Sequence, residues 1–243
     1  MAINFQNVAD KVTDQGIKAL IYGEPGVGKT VLASTSNEPT LLIDAEAGTM
    51  SIRKATNVQV FSVTSNEPLK QIFPVLEYLR TNNDQGFKWV VIDSISELCE
   101  MVLTEEDAKH KGNNLKAYGD MAKRMIPFVK AFRDLDGMNV VMTAKLKAVK
   151  DDTTGGVMHR PAAPGRQVTD ALPYLFDLVL PLRIMKSKDG ETGRWLMCEG
   201  DQSIIAKDRS DKLGRWEEPN LAAVRAKIIG KPLNSKPTAV KAA

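Results

Sequence analysis

Gly23-Glu24-Pro25-Gly26-Val27-Gly28-Lys29-Thr30 is the stretch that decides how this chain is read. It fits the phosphate-loop pattern G-x-x-x-x-G-K-[ST] at every fixed position. Before it, Ile17-Lys18-Ala19-Leu20-Ile21-Tyr22 reads as a buried strand, and Val31-Leu32-Ala33-Ser34 is expected to continue from Lys29-Thr30 as a helix. Glycines let the backbone curl so that successive N–H groups face one phosphate cluster, and a helix N-terminus adds favourable partial charge. In this pattern Lys29 reaches the β- and γ-phosphates and the Thr30 hydroxyl sits on Mg²⁺. The motif therefore predicts a nucleoside triphosphate and Mg²⁺ as ligands; ATP is the expected one, although no residue pattern here reads the base.

Outward from the loop, strand and helix signals alternate. Thr40–Asp44, Val58–Val63, Phe87–Asp93 and Met138–Thr143 are apolar runs of strand length, and Leu175–Ile184 returns to strand character. Between them, Pro68–Arg80 has helical spacing at Leu69, Ile72, Phe73, Leu76 and Leu79, a helix is predicted from about Ser94 to Ala108, and Tyr118–Leu135 reads as a long amphipathic helix containing Pro127. This order predicts an α/β fold, a mostly parallel sheet flanked by helices. Residues 145–173 read as one long loop, rich in Gly and Pro. Trp195–Cys198 and Ser203–Ala206 read as a terminal antiparallel hairpin, and Pro219–Ile229 as a last helix. One domain over residues 1–229 is expected, followed at 230–243 by a basic tail with three lysines and no acid, predicted to be disordered.

The 243 residues suit one α/β domain, and 43% hydrophobic with 26% charged residues is ordinary for a globular chain. A net charge of +3 does not announce a nucleic-acid partner, so any such surface must come from local clustering. Cys99 and Cys198 have neither metal-ligand spacing nor a disulfide framework. His110 and His159 are too far apart in sequence to suggest a metal site. The opening Met1-Ala2-Ile3-Asn4-Phe5-Gln6 lacks a basic start followed by an apolar run, and no 18-residue apolar stretch exists, so a cytoplasmic protein with no membrane partner is expected.

Asp93 ends the apolar run Trp89-Val90-Val91-Ile92, where a second acidic residue is needed for the Mg²⁺ shell. An Asp there can also serve as a helix cap alone. In the AAA+ ATPases a Glu directly follows this Asp; here Ser94 does, which argues against that class. Leu42-Ile43-Asp44-Ala45-Glu46-Ala47 instead closely resembles the I-D-[AT]-E segment of the RecA recombinase family. That resemblance implies that Glu46 is the general base for the attacking water. The run Val140-Val141-Met142-Thr143-Ala144-Lys145 resembles the family's γ-phosphate sensor strand, with Lys145 where Gln or His is usual; the alternative is a lysine opening a solvated loop. Ile205-Ala206-Lys207-Asp208-Arg209 resembles the paired finger that RecA-fold hexamers, among them the DnaB helicases and KaiC, insert into a neighbouring subunit's nucleotide. Lys207 and Arg209, at i and i+2, would face the same γ-phosphate.

Over residues 17–210 the chain is similar to the small RecA-fold ATPases of bacteriophages, including shortened-core single-strand annealing recombinases and phage nucleotide-binding AAA-type proteins. Pro164-Gly165-Arg166-Gln167 and Ala171-Leu172-Pro173 add to this likeness. The resemblance implies a DNA-stimulated ATPase in a bacterial host's cytoplasm. It would form a homo-oligomeric ring or filament on single-stranded DNA, with a single-strand-binding protein as a further partner. Two loops would meet that DNA: 108–117, with Lys109, Lys111 and Lys116, and 145–170, with Lys147, Lys150, Arg160 and Arg166. Without aromatics, such loops would contact the backbone irrespective of sequence.

Overall fold

Alternation along the first strand sets the layers. In β1 (Lys18–Gly23), Leu20 and Tyr22 belong to one buried apolar cluster, and Ala19 and Ile21 to another on the opposite side. The same split recurs in β2 (Thr40–Asp44), a second strand buried along its whole length. Side chains alternate across a strand, so a strand apolar at every position must be covered on both faces. The computed structural model describes residues 16–150, 155–186 and 192–230.

The chain continues through β3 (Val58–Ser62), α1 (Pro68–Thr81), β4 (Trp89–Asp93), α2 (Ile95–Lys109), α3 (Asn114–Arg133), β5 (Asn139–Lys150), β6 (Val157–Ala162) and α4 (Arg166–Leu175). It ends with β7 (Leu178–Lys186), β8 (Thr192–Met197), β9 (Lys207–Asp208), β10 (Trp216–Glu217) and α5 (Leu221–Ile229). The sheet order is β10-β8-β7-β1-β5-β4-β2-β3, with β6 on β5 and β9 on β7. From β7 to β3 every neighbouring pair is parallel; β8, β10, β6 and β9 join antiparallel. This is the predicted fold class, a RecA-like P-loop core with antiparallel strands at its C-terminal side. β5 lies between the phosphate-loop strand β1 and the Asp93 strand β4.

Helices α1 to α4 cover one face with Leu69, Ile72, Leu98, Val102, Met125, Phe128, Phe132 and Leu172 among others. The other face is closed by Leu32 and Ala33 after the phosphate loop and by Leu221 and Val224 of α5. Fully burying one such aliphatic or aromatic side chain contributes roughly 1.5–3 kcal/mol.

Several boundaries differ from the sequence reading. The segment after the phosphate loop, Thr30–Ser36, is a 3-10 helix, with the Ser34, Thr35 and Ser36 hydroxyls all donating to carbonyls three residues back. Short hydroxylated side chains that bond their own backbone compete with α-helical pairing. The long helix starts at Asn114, four residues early, because the Asn113 side chain caps it by accepting from the Lys116 N–H. The predicted loop 145–173 is largely regular. β5 runs on to Lys150 and pairs with β6 from Lys145↔Ala162 to Lys150↔Val157, and α4 follows. Pro161 obscured β6, yet proline is tolerated on an edge strand such as this one. Ser203–Ala206 forms no strand and makes only isolated bridges through Ile204; β8 pairs instead with β7 and β10. The opening segment and residues 231–243 of the predicted tail lie outside the described residues. No helix among the described residues is long and apolar enough to cross a membrane.

Candidate nucleotide site

Parallel pairing brings the chemistry to one edge. Asp44 of β2 pairs with Asp93 of β4, each at the C-terminal end of its strand, and Gly23 at the end of β1 pairs with Lys145, where β5 leaves the parallel sheet and runs on into its pairing with β6. Crevices outside those ends are where open α/β sheets bind ligands.

Asp93 is fully buried, its peptide bond to Ser94 is cis, and both carboxylate oxygens accept hydroxyls. Thr30 Oγ1 donates to Oδ2 at 2.5 Å, and the buried Thr143 hydroxyl donates to Oδ1. A threonine hydroxyl beside a buried carboxylate is the hard-oxygen donor set that suits Mg²⁺. Gly48 packs close on this side: a Cβ there would lie 3.3 Å from Thr30 Oγ1, a tight contact that would press on the hydroxyl. Lys29 Nζ folds back on the loop and donates to the carbonyls of Gly23 and Glu24, each at 3.0 Å. Burial pulls its pKa down, while the carboxylates of Glu46 and Asp93 pull it up. A lysine so placed offers its charge to an incoming phosphate.

Glu46 is presented by a turn that Asp44 builds, with Oδ1 accepting from the N–H groups of Glu46 at 3.1 Å and Gly48 at 3.4 Å. Its Oε1 accepts the Ser94 hydroxyl proton, and Ser94 Oγ in turn accepts the Glu97 N–H as the N-cap of α2. The residue that displaces the Asp-Glu order of the AAA+ ATPases thus holds a glutamate arriving from the neighbouring strand. Ser94, Thr143 and Gly48 carry no motif, and the sequence reading missed all three as parts of the site.

Lys145 stands beside the phosphate loop, but its ammonium is taken by Glu97 and Glu100 of α2, each at 2.9 Å. Although burial opposes it, these two carboxylates raise the pKa to about 12. Lys207 and Arg209 are not brought to this edge. β9 pairs with Leu178 and Val179 where β7 begins, at the end of the sheet opposite the phosphate loop. Their side chains also diverge: Lys207 Nζ donates to Pro173 O at 2.5 Å, and Arg209 pairs with Asp177 at 3.0 Å.

The two predicted DNA loops are reshaped. Only residues 110–113 separate α2 from α3, and Lys109 is bound by Glu106 at 2.7 Å. His110 has carboxylate neighbours, Asp120 Oδ2 at 3.0 Å and Glu106 Oε2 at 3.5 Å, which linear distance from His159 gave no way to foresee. Lys109, Lys123 and Arg124 engage the other oxygens of these acids, so the group is a closed ion network between two helices. Despite burial, the hydrogen bonds from Lys109 and Arg124 hold the Glu106 carboxyl below its usual range. In the second region Arg160 and Arg166 share Asp170. Lys147 faces Arg160 across the β5–β6 ladder, and Lys111, Lys116, Lys147 and Lys150 have no ion-pair partner among the described residues.

A family model described as an AAA domain matches residues 15–210. No curated protein matches the chain. Among solved structures, it is similar to a KaiC-like protein from the hyperthermophilic archaeon Pyrococcus horikoshii OT3, at 14% identity and TM-score 0.45, covering 80% of this chain and 84% of that one. It is also similar to the flagellar accessory protein FlaH from Methanocaldococcus jannaschii, at 11% identity and TM-score 0.39, covering 76% and 78%. The sheet order, with β5 between β1 and β4, defines the fold. Ser94 separates the chain from the AAA+ residue order, not from the family that bears the AAA name. The phosphate loop, the Asp93–Thr30 pair and the match over most of the sequence place this chain in the AAA domain family, as a P-loop ATPase with a RecA-like core.

Proposed function

We propose that this protein hydrolyses ATP with Mg²⁺ while assembled as a homo-oligomer on single-stranded DNA, promoting annealing or strand exchange of the bacteriophage type. The observation that carries hydrolysis is the convergence of Lys29, Thr30, Asp93 and Glu46 at one sheet edge. Glu46 is exposed and oriented by Ser94, as a residue must be to align a water against a γ-phosphate. Polarisation of the phosphates falls to Lys29 and the metal, and Lys145 tethers the sensor strand to α2 rather than acting on phosphate.

The DNA part is supported by the β5–β6 hairpin, which extends from the same edge and carries Lys147 and Lys150, with Lys111 and Lys116 at the α2–α3 turn. Such cations would neutralise backbone phosphates in a salt-dependent way. Lys207 and Arg209 lie at the opposite end of the sheet from their own phosphate loop, so a role at a γ-phosphate would fall to an adjoining copy and would need their side chains to leave Pro173 and Asp177.

The test is ATP turnover with and without single-stranded DNA, alongside sedimentation in both states. DNA-stimulated turnover by an oligomer is expected. A monomer in every nucleotide state whose turnover ignores DNA overturns the DNA reading and moves the client to a protein of replication or packaging. ATP held without hydrolysis leaves a nucleotide-gated binding module.

A further inference from the structure

Resting on the reading of Gly23–Thr30 as an ATP site, we infer that Arg194 of β8 is a positioning residue for the phosphate cradle. Arg194 Nε donates to the carbonyl of Val27 at 2.9 Å, across 167 residues of sequence. Val27 C=O and Gly28 N–H belong to one peptide unit, which is trans, since the sole cis bond among the described residues is Asp93–Ser94. In a trans peptide the two groups point in opposite directions. A cation that pins the carbonyl outward therefore aims the Gly28 N–H inward, toward the phosphates. The bond is charge-assisted, so it also polarises that peptide and makes its N–H a stronger donor.

Three features hold this geometry. The Val27 side chain is buried in the same apolar cluster as Leu182 and Leu196 of the β7–β8 pair, which fixes the peptide from its other side. Residue 28 favours glycine because its φ is +104°, and its Cα lies directly beside the Arg194 side chain, where a Cβ would sit in ordinary contact with Cδ and Nε at 3.6 and 3.5 Å. On β8, Arg194 pairs with Ile184 and stands two residues before buried Leu196, on the face that carries Val27. No carboxylate among the described residues pairs with Arg194. Its charge therefore stays beside the cradle, adding to the positive field there.

The test compares wild type with Arg194→Met, which keeps the apolar stem, and Arg194→Lys, which keeps a cationic donor. ATP and ADP affinities are measured by calorimetry, with thermal midpoints as a folding control and the Gly28 amide followed by ¹⁵N-labelled NMR. Losing one charge-assisted bond is expected to weaken ATP and ADP alike, by about tenfold or more in Arg194→Met. Arg194→Lys should recover part of this, and the Gly28 amide should move upfield in Arg194→Met while glycines distant from the loop stay put. Unchanged affinities in a folded Arg194→Met overturn the proposal. So does a loss confined to ATP, which would make Arg194 a direct γ-phosphate ligand. A wild type that binds neither nucleotide instead overturns the ATP reading itself.

Discussion

Asp93→Asn separates the metal role proposed for this residue from its structural role. The carboxylate is fully buried and accepts two hydroxyls, from Thr30 at 2.5 Å and from Thr143. Asparagine has the same shape. Its oxygen can accept from Thr30, and its amide can donate to Thr143, whose own proton can turn to the Ile92 carbonyl at 3.5 Å. Exchanging two bonds to a charged acceptor for neutral ones loses about 1 kcal/mol each. Against that, the folded state no longer has to desolvate an ion, an effective penalty of several kcal/mol. The net change in stability without ligand should fall within about 2 kcal/mol of wild type. With Mg²⁺ and ATP at a hundred times its Kd, wild type should gain about 2.7 kcal/mol, a rise in Tm of roughly 5–10 °C for a domain of this size. Asp93→Asn should keep the gain from ATP in EDTA and lose the increment that Mg²⁺ adds. Thermal scans of both proteins with ATP-EDTA and ATP-Mg²⁺ measure this. An undiminished Mg²⁺ increment in the variant refutes the metal role. A collapse of stability without ligand by more than about 4 kcal/mol refutes the hydrogen-bond exchange.

Three other outcomes are expected. Glu46→Gln should lower ATP turnover at least about a hundredfold while leaving ATP affinity within a fewfold, in single-turnover and binding assays; intact turnover would place the general base elsewhere. Gly23→Ala puts a methyl 2.6 Å from the Leu182 carbonyl oxygen, which only backbone movement can relieve. It should cost about 1–3 kcal/mol, read from urea midpoints, and an unchanged midpoint would contradict the packing of β7 on β1. Lys18 is buried, with Nζ donating to Leu135 O and Met138 O at 2.7 Å each, and burial lowers its pKa from 10.5 to about 8. Between those values the unfolded chain holds the proton and the folded one does not. Stability should therefore rise with pH from about 8 to 10.5, by roughly 2–3 kcal/mol, and be flat in this respect below 8. Urea melts of wild type and Lys18→Met across that range test it, since the variant should lack the rise.

Legibility followed how local the physics was. Gly23–Thr30 is a contiguous motif whose backbone curl depends on its own glycines, so it can be read without any partner. Asp93 could be placed because a strand buried on both faces leaves a run of apolar residues with a polar residue at its end. The β5–β6 hairpin was not legible, because lysines and Pro161 hide the alternation that pairing produces. Cation roles were the least legible of all. Lys109, Lys145 and Arg160 read as free charges in the linear chain, and each meets a carboxylate only after helices and strands pack.

By itself, then, the sequence determined the class of ligand, the alternation of strands and helices, and the carboxylates that end β2 and β4. Each of these depends on neighbours within a few residues. Only the tertiary structure decided that β5 lies between β1 and β4, that Ser94 holds Glu46, that Lys207 and Arg209 lie at the far end of the sheet, and that Arg194 grips the phosphate loop. These depend on strand register and on contacts up to 167 residues apart, which composition and spacing do not encode.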